Sequence, residues 1–379
     1  MKPLASVTRS GNGRRAAPHS ARASATEAGD AVPPVPLEHE ELVVRRGARS
    51  GVEMVVAIHS TALGPALGGM RIWHYRSPED GVRDALRLSR AMTLKAAAAG
   101  LDLGGGKAVL CAPAPEPPVG EARRRMLLDF GDLVESLGGR YITAEDVGCA
   151  AADLVTVRER TRHVTGLPVE HGGAGDPSPY TARGVEAAMR ACVRHRFGRR
   201  DVDGTRVVIV GFGNVGGRLA RRLAEDGARL AVSDIDPGRR GLAADLDAEW
   251  LDPETAMLSA CDVLAPCALG GAIEAANAEL LEAEIVCGSA NNQLVDDGLA
   301  ERLDARGILY APDFIANAGG LINVYRELRG YDLEEAVRLA DGIEETMDRV
   351  LDAAEERGMT PLEAARELAR ERLETAVAA

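Results

Sequence analysis

An apolar run, Val207-Val208-Ile209-Val210, passes directly into Gly211-Phe212-Gly213-Asn214-Val215-Gly216 and then into a stretch carrying Leu219 and Leu223 at helical spacing. Branched residues in an unbroken row read as a strand buried on both faces, the environment of a parallel sheet. After such a strand the first glycine permits a tight turn, the second lets the backbone approach a pyrophosphate, and the third lets helix and strand pack closely. The N-terminus of the following helix then offers free N–H groups to the anion. A G-x-G-x-x-G string alone is more often an ordinary turn; the strand before it and Asp234 after it turn the reading towards a dinucleotide site. Asp234 ends the next expected strand, 23 residues after Gly211, where a carboxylate can accept hydrogen bonds from ribose hydroxyls, so NAD is favoured over NADP. Arg239 and Arg240 stand near enough to meet a 2′-phosphate instead, but they read as solvated helix residues.

Around this motif the pattern alternates. Strands are expected at 206–210, 230–233, 262–265, 284–287 and 308–311 with helical stretches between them, which is a doubly wound parallel sheet. Upstream, residues 52–59 read as a buried strand followed by a turn. Ser77-Pro78-Glu79-Asp80 then supplies an N-cap, a first-turn proline and two first-turn acids, so a helix should run towards Ala99 and stop at Gly100. A glycine-rich loop at Gly104-Gly105-Gly106, a short strand over 107–111, a helix over about 121–137 and a strand over 141–143 complete an α/β block. Asp176-Pro177-Ser178-Pro179 marks a boundary, and from about Leu321 onward the chain reads as helical, broken at Gly358 to Pro361. At 379 residues the chain is too long for one comfortable core. The expected fold is therefore two-domain α/β. A substrate and oligomerisation domain spans 37–178, a Rossmann-type NAD domain 179–321, and a helical segment, 322–379, returns to the first domain.

A net charge of −13 disfavours a phosphate backbone or an anionic membrane as a general partner. No apolar stretch approaches the roughly 20 residues needed to cross a bilayer. The six cysteines are scattered without a C-x-x-C pair, so no metal site is expected and reduced thiols in the cytoplasm are the natural reading. Residues 1–36 are basic, rich in alanine and serine and end at Pro33-Pro34. They are expected to be a disordered leader, with some likeness to an organelle transit peptide but no apolar core for secretion.

Three further residues carry candidate chemistry. Lys95 lies near a helix end and Lys107 directly follows three glycines, which let a backbone and a substrate come close. Lys95 could equally be a surface residue, and Gly104-Gly105-Gly106-Lys107 a mobile loop or a phosphate cradle. A P-loop is disfavoured, because Ala108 stands where a magnesium-binding Ser or Thr is needed and the motif's first glycine is missing. Asp146, just after an expected strand, is either the cap of the next helix or a proton carrier facing a cleft.

Several long segments in one order resemble the glutamate/leucine/phenylalanine/valine dehydrogenase family, most nearly its leucine and valine branch. They are Leu63-Gly64-Pro65-Ala66-Leu67-Gly68-Gly69, Met92-Thr93-Leu94-Lys95, Leu103-Gly104-Gly105-Gly106-Lys107 and Tyr141-Ile142-Thr143-Ala144-Glu145-Asp146-Val147-Gly148. Beyond the boundary come the dinucleotide motif, Ala265-Pro266-Cys267-Ala268-Leu269-Gly270, Ala290-Asn291-Asn292-Gln293 and Ala311-Pro312-Asp313 through Asn317-Ala318-Gly319-Gly320.

The resemblance implies NAD-dependent oxidative deamination of an amino acid to a 2-oxo acid and ammonium, in a homo-oligomer. By position it implies that Lys95 binds the substrate α-carboxylate, Lys107 activates water and Asp146 relays protons. Two nearby cations disfavour each other's protonation, which would lower a lysine pKa towards the working pH. The resemblance also places Gly68 and Gly69 at the substrate, and Thr181, Cys267, Ala268, Asn291 and Asn292 at the cofactor. In the family's glutamate dehydrogenases a lysine precedes the Gly-Gly pair, whereas this chain has Leu67 there. With Ala144, Leu321 and Val324 it makes an apolar set suited to leucine, isoleucine or valine. Phenylalanine dehydrogenase is the alternative, since 314–321 also resembles those enzymes, and a non-catalytic NAD-binding regulator is the second. The chain departs from the pattern in its leader and in Glu170-His171-Gly172-Gly173-Ala174-Gly175, where a serine-richer loop is expected.

Overall fold

A computed structural model describes residues 38–330 and 332–378; the leader expected over 1–36 lies outside them. The first sheet contains β1 (Glu41–Arg46), β2 (Glu53–Ser60), β3 (Ala66–Trp73), β4 (Gly104–Cys111) and β5 (Tyr141–Glu145) in the order β1-β2-β4-β3-β5. β1 and β2 pair antiparallel, as do β2 and β4, whereas β3 runs parallel to both β4 and β5.

Two expectations for this half need correction, and for one reason. Residues 66–73 form a strand where only a turn was expected, and Gly104-Gly105-Gly106 opens β4 rather than forming a loop. These glycines are required by neighbours, not by turn geometry. A Cβ on Gly68 would sit 1.7 Å from the Gly106 carbonyl oxygen, and one on Gly105 2.1 Å from Thr93 Oγ1. A Cβ on Gly106 would meet the Tyr141 ring at 2.7 Å. Gly105 thus lets α1 (Pro78–Ala98) lie directly on the sheet, while Gly106 makes room for Tyr141 on the opposite face. α1 starts as its sequence predicts, with Ser77 Oγ accepting from Asp80 N, and the chain turns out of it at Gly100 with φ +72°. α2 (Gly120–Ser136) covers the other face, where Met54, Ile58, Met70, Leu110, Phe130 and Tyr141 form the core. α3 (Ala151–Arg158) follows β5.

The second sheet contains β6 (Arg206–Val210), β7 (Arg229–Ser233), β8 (Glu249–Trp250), β9 (Cys261–Pro266), β10 (Ala283–Val286) and β11 (Leu309–Tyr310). Its order is β11-β10-β9-β6-β7-β8, with every pairing parallel. β8 was not expected; two residues carry too little pattern to announce a strand. Strand order reverses between β6 and β9, the switch point at which open α/β sheets bind ligands. α4 (Ser178–Phe197) begins at the Asp176-Pro177-Ser178-Pro179 turn, and α5 (Asn214–Glu225) follows the glycine motif.

The terminal helix Pro361–Ala378 returns to α1, where Arg372 donates to the carbonyls of Ala97 (3.2 Å) and Leu101 (2.7 Å) and to the Asp102 carboxylate. A side chain from about 270 residues away thus adds donors to the carbonyls at and just beyond the end of α1. Leu67 and Ile142 of the first sheet share one buried cluster with Val185 of α4 and Val207 and Ile209 of β6. The two sheets are therefore packed through a common apolar seam.

Gly68→Ala should lower stability by about 1–3 kcal/mol, since backbone opposes backbone at the clash and neither can rotate away. Gly241→Ala, where a Cβ meets nothing within 4 Å, is the control and should leave Tm unchanged or slightly raised. Equal melting temperatures for the two variants in a thermal scan would contradict this account of Gly68.

Candidate active site

Between the two sheets lies a cavity of about 290 Å³. Its walls are Leu67, Gly69 and Arg71 of β3, Met92 and Lys95 of α1, Lys107 of β4, and Ala144, Glu145 and Asp146 at the end of β5. Across from them stand Asn291, Asn292, Asp313, Phe314, Gly320, Leu321 and Val324, and the margin is closed by Gly166, Gly175 and Pro177. Residues scattered over more than 250 positions thus converge, because alternate residues of β3, Lys107 in the middle of β4 and the end of β5 line one side of the same gap.

Lys107 lies on the central strand of the first sheet, its side chain only 8% exposed, and its ammonium is paired with Asp146 Oδ2. Arg71 Nε reaches the same oxygen at 3.2 Å, while its Nη1 bonds Asp84 at 2.8 Å, and Tyr75 donates to Asp84 at 2.7 Å. Asp146 does not cap α3; Asp153 accepts from Ala150 N instead. The expectation that the two lysines lower one another's pKa needs revising. Burial is the main cause that lowers the Lys107 pKa, opposed by Asp146, and the cation that adds to the lowering is Arg71. Lys95 is lowered to about 8, again mainly by burial, with Asp313 opposing and Lys107 a smaller contributor. Asp146 is held below the usual carboxylate range: burial would raise it, but Lys107 and Arg71 prevail.

Lys95 projects from the last turn of α1 and donates to Asn317 Oδ1 at 2.6 Å. Asn317 in turn donates to Asn291 Oδ1 (2.9 Å) and to the Ser289 carbonyl (3.1 Å), so one amide links α1 to the loop after β10. Asp313, buried beside Lys95, accepts from Gln293 N at 2.9 Å, and burial raises its pKa. Arg71, Asp84 and Asp313 were not picked out from sequence. Each acquires its place through partners on another element: Arg71 through Asp146, Asp84 through Arg71, and Asp313 through Gln293.

The apolar part of the cavity is bounded by Leu67, Ala144, Leu321 and Val324, together with Leu88, Met92 and Phe314. Gly69 lines it, and a Cβ there would collide with Asp146 Cβ at 2.6 Å. Gly68 points instead into the β4 backbone, and Tyr141 donates to its carbonyl at 2.6 Å. Thr181 stands at the margin with its hydroxyl against Gly320.

The glycine motif is shaped as a cradle. Gly211 takes φ +102° with Ala268 N only 2.6 Å from where a Cβ would be, and a Cβ on Gly216 would meet the Gly211 carbonyl oxygen at 2.0 Å and Cys267 Cβ at 3.4 Å. Gly213 alone of the three faces open space, at the start of α5, where no side chain caps the helix. Phe212 N donates to Asp234 Oδ2 at 2.7 Å, which holds that carboxylate beside the turn. The Asn214 and Val215 backbone stands next along the open side, at the first turn of α5. Closed walls at Gly211 and Gly216, with an opening and free N–H groups at Gly213, fit a dinucleotide. Arg239 and Arg240 are not simply solvated helix residues: Arg239 donates to the Phe212 carbonyl at 2.9 Å beside Asp234, and Arg240 lies over the Trp250 ring at 5.4 Å. Asn292 holds φ +51°, a conformation asparagine tolerates better than most residues.

Residues 39–163 match the family model described as Glu/Leu/Phe/Val dehydrogenase, dimerisation domain, and residues 172–238 and 240–379 match Glutamate/Leucine/Phenylalanine/Valine dehydrogenase. The chain belongs to this family. It is an amino-acid dehydrogenase, an oxidoreductase that uses NAD. The leucine dehydrogenase of Bacillus subtilis (strain 168) is 42% identical over 338 residues, 89% of this chain and 92% of that protein. The valine dehydrogenase of Streptomyces virginiae is 43% identical over 346 residues, 89% of this chain and 94% of that protein. A crystal structure of L-tryptophan dehydrogenase from Nostoc punctiforme superposes with a TM-score of 0.80 at 37% identity, covering 90% of this chain and 98% of that one.

In this dehydrogenase Gly213→Ala would place a methyl group in the open part of the cradle while touching no protein atom. NAD binding should weaken by about tenfold or more, some 1.4 kcal/mol, with the Tm of the ligand-free protein unchanged. Calorimetric titration with NAD measures this directly, and an unaltered Kd would remove Gly213 from the cofactor site.

Proposed function

We propose that the enzyme carries out reversible NAD-dependent oxidative deamination of a branched-chain aliphatic L-amino acid, with leucine, valine and isoleucine as the substrate class. The observation that carries this reading is the apolar end of the cavity, where Leu67, Ala144, Leu321 and Val324 enclose a space directly beside the Lys107–Asp146 pair. A second carboxylate on the substrate would lie against Leu67 without a partner, at a cost of several kcal/mol, which disfavours glutamate. The names of relatives bracket the side chain without fixing it, since leucine, valine and tryptophan dehydrogenases all lie at 40–43% identity.

In this reading Lys95 grips the α-carboxylate from the end of α1. When bound, NAD accepts the hydride leaving the substrate Cα, and an iminium remains on the substrate. Lys107, as the free amine, takes a proton from the water that attacks the iminium carbon. Asp146, in contact with Lys107, takes that proton over and passes it to the departing amine, which leaves as ammonia, while the hydroxyl proton of the tetrahedral intermediate goes to the freed Lys107 amine as the carbonyl of the 2-oxo acid forms. Burial favours this division of labour: it brings the neutral amine of Lys107 within reach below the ordinary lysine pKa, while the cations around Asp146 keep that carboxylate ready to accept.

Homo-oligomerisation is part of the proposal, supported by the match of 39–163 to a dimerisation domain and by the exposure of Val44, Trp73 and Val147 within it. So is a cytoplasmic setting, supported by six free cysteines. Among the described residues no helix is long and apolar enough to cross a membrane.

Lys107→Ala should lower kcat by about 10²- to 10⁴-fold while NAD binding is retained. Initial rates of NADH formation with leucine, valine, isoleucine, phenylalanine, tryptophan and glutamate, each with NAD and NADP, test the substrate and cofactor together. Near-normal turnover by the alanine variant would reject Lys107 as the base, and preference for an aromatic substrate would reject the aliphatic assignment.

The pH dependence has a definite sign. A base with a lowered pKa reaches its free form at lower pH, so the deamination rate should climb with pH and level off below the ordinary lysine value of 10.5. Asp146 opposes that lowering, so Asp146→Asn should move the rising limb of the residual activity to still lower pH. A limb that moves upward, or stays in place, would mean that a group other than Lys107 titrates.

A further inference from the structure

The segment after α3 departs from the pattern expected of the family, yet it supplies one wall of the cavity through Gly166 and Gly175. Both glycines have left-handed backbone, φ +78° and +70°, and between them the segment closes on itself, with a Cβ on Gly173 falling 1.8 Å from the Leu167 carbonyl oxygen. At its start it is tied to β5: Thr165 N donates to the Thr143 carbonyl at 2.9 Å, next to Ala144. Its other attachment is to the helix Gly319–Leu328, which carries Leu321 and Val324.

That attachment is made by Glu327. Both carboxylate oxygens accept from Gly166 N, at 3.1 and 3.0 Å, and Oε2 also accepts from Ala174 N at 2.8 Å. Thr165 Oγ1 adds a bond to the Val324 carbonyl at 3.3 Å. Hydrogen bonds from backbone N–H to a carboxylate are roughly twice as strong as neutral ones. One side chain therefore fastens both glycine-flanked ends of the segment to the helix that forms the facing wall. Glu327 itself does not line the cavity.

We propose that Glu327 is a positioning residue that sets the width of the substrate side-chain subsite by clamping residues 166–174 to the helix carrying Leu321 and Val324. The inference rests on the reading that this cavity receives an amino-acid side chain. Discrimination between side chains differing by one or a few carbons is worth only about 1–3 kcal/mol, so a wall displaced by a fraction of an ångström is enough to change it. A clamp acting on the wall alters substrate affinity and side-chain preference more than turnover, since Lys107 lies on β4 and the glycine cradle lies between β6 and α5.

The test uses the full-length enzyme, with wild type, Glu327→Gln and Glu327→Ala compared under NAD saturation. In the alanine variant the KM for the preferred aliphatic substrate should rise about tenfold with kcat changed much less, and the phenylalanine-to-leucine ratio of kcat/KM should rise by about threefold or more. The amides of Gly166 and Ala174 should exchange with solvent at least about tenfold faster, while the NAD Kd stays constant. Glutamine keeps one acceptor oxygen but sets an amide donor against a backbone N–H, so its values should fall between those of wild type and alanine. If the alanine variant fails to fold, the glutamine variant carries the same readings. Unchanged amide exchange would show that no clamp exists, and faster exchange with unaltered KM and ratio would show that the clamp does not govern the subsite; either overturns the proposal. The substrate class itself is decided on wild type alone, before any variant is made, and the ratio is then read on whichever two side chains of different size wild type accepts.

Discussion

A lysine amine buried on the central strand of a sheet is the constraint on which the site depends. Burying an ammonium without a partner costs more than most single contacts return, so Lys107 must either lose its proton or hold an anion against it. The structure does part of each. Burial pulls the pKa down, Asp146 pulls it back, and Arg71 holds Asp146 from the other side while itself held by Asp84. Neighbouring groups thus set the balance between free amine and ion pair. That balance needs close packing around β4, which glycine permits: Gly68 lets the β3 backbone approach that of β4, Gly105 lets α1 approach, and Gly106 leaves room for the Tyr141 ring on the opposite face.

The second half of the molecule brings a different constraint. Its sheet reverses strand order at β6 and β9, which leaves an opening above Gly213, and the common seam of Leu67, Ile142, Val185 and Ile209 fixes that opening relative to the first sheet. Polar groups bridge the same gap at Lys95 and Asn317. A seam of side chains can slide or part more readily than a strand pairing, and hinge closure in two-domain enzymes uses contacts of this kind. The return of Arg372 to the end of α1 adds a tether on the side away from the cavity.

Features whose causes are local were legible in the sequence. The cap, proline and acids that start α1 act within one turn, and the motif at Gly211 reads correctly because a buried strand, a turn and a helix adjoin it. The glycines at 68–69 and 104–106 misled for the opposite reason. A glycine needed for a turn and one needed for a close approach look identical until the approaching chain is known, and here it is Gly106, Thr93 or Tyr141. The same distance in sequence concealed the partnerships of Arg71 with Asp146, Lys95 with Asn317 and Gly166 with Glu327, separated by 75, 222 and 161 positions. Arg239 shows the limit in miniature, since its bond to the Phe212 carbonyl joins two loops that sequence reading treats separately.

The charges around the cavity explain why an amino acid suits it better than a neutral molecule of the same shape. Lys95, Lys107 and Arg71 face Asp146 and Asp313, but Arg71 already answers to Asp84, and the Asp313 carboxylate accepts its hydrogen bond from Gln293 N rather than from Lys95. Lys95 is left with the carbonyl oxygen of Asn317 as its hydrogen-bond partner and a pKa of about 8. In the proposed reading an incoming carboxylate adds a negative charge beside Lys95, which would raise its pKa and favour the ammonium form. The cost of desolvating that lysine is already met in the folded protein, so a carboxylate gains a preorganised donor without further reorganisation. On that reading substrate binding and protonation of Lys95 are one coupled event, and Lys95 is itself joined through the Asn317 amide to Asn291 and Ser289.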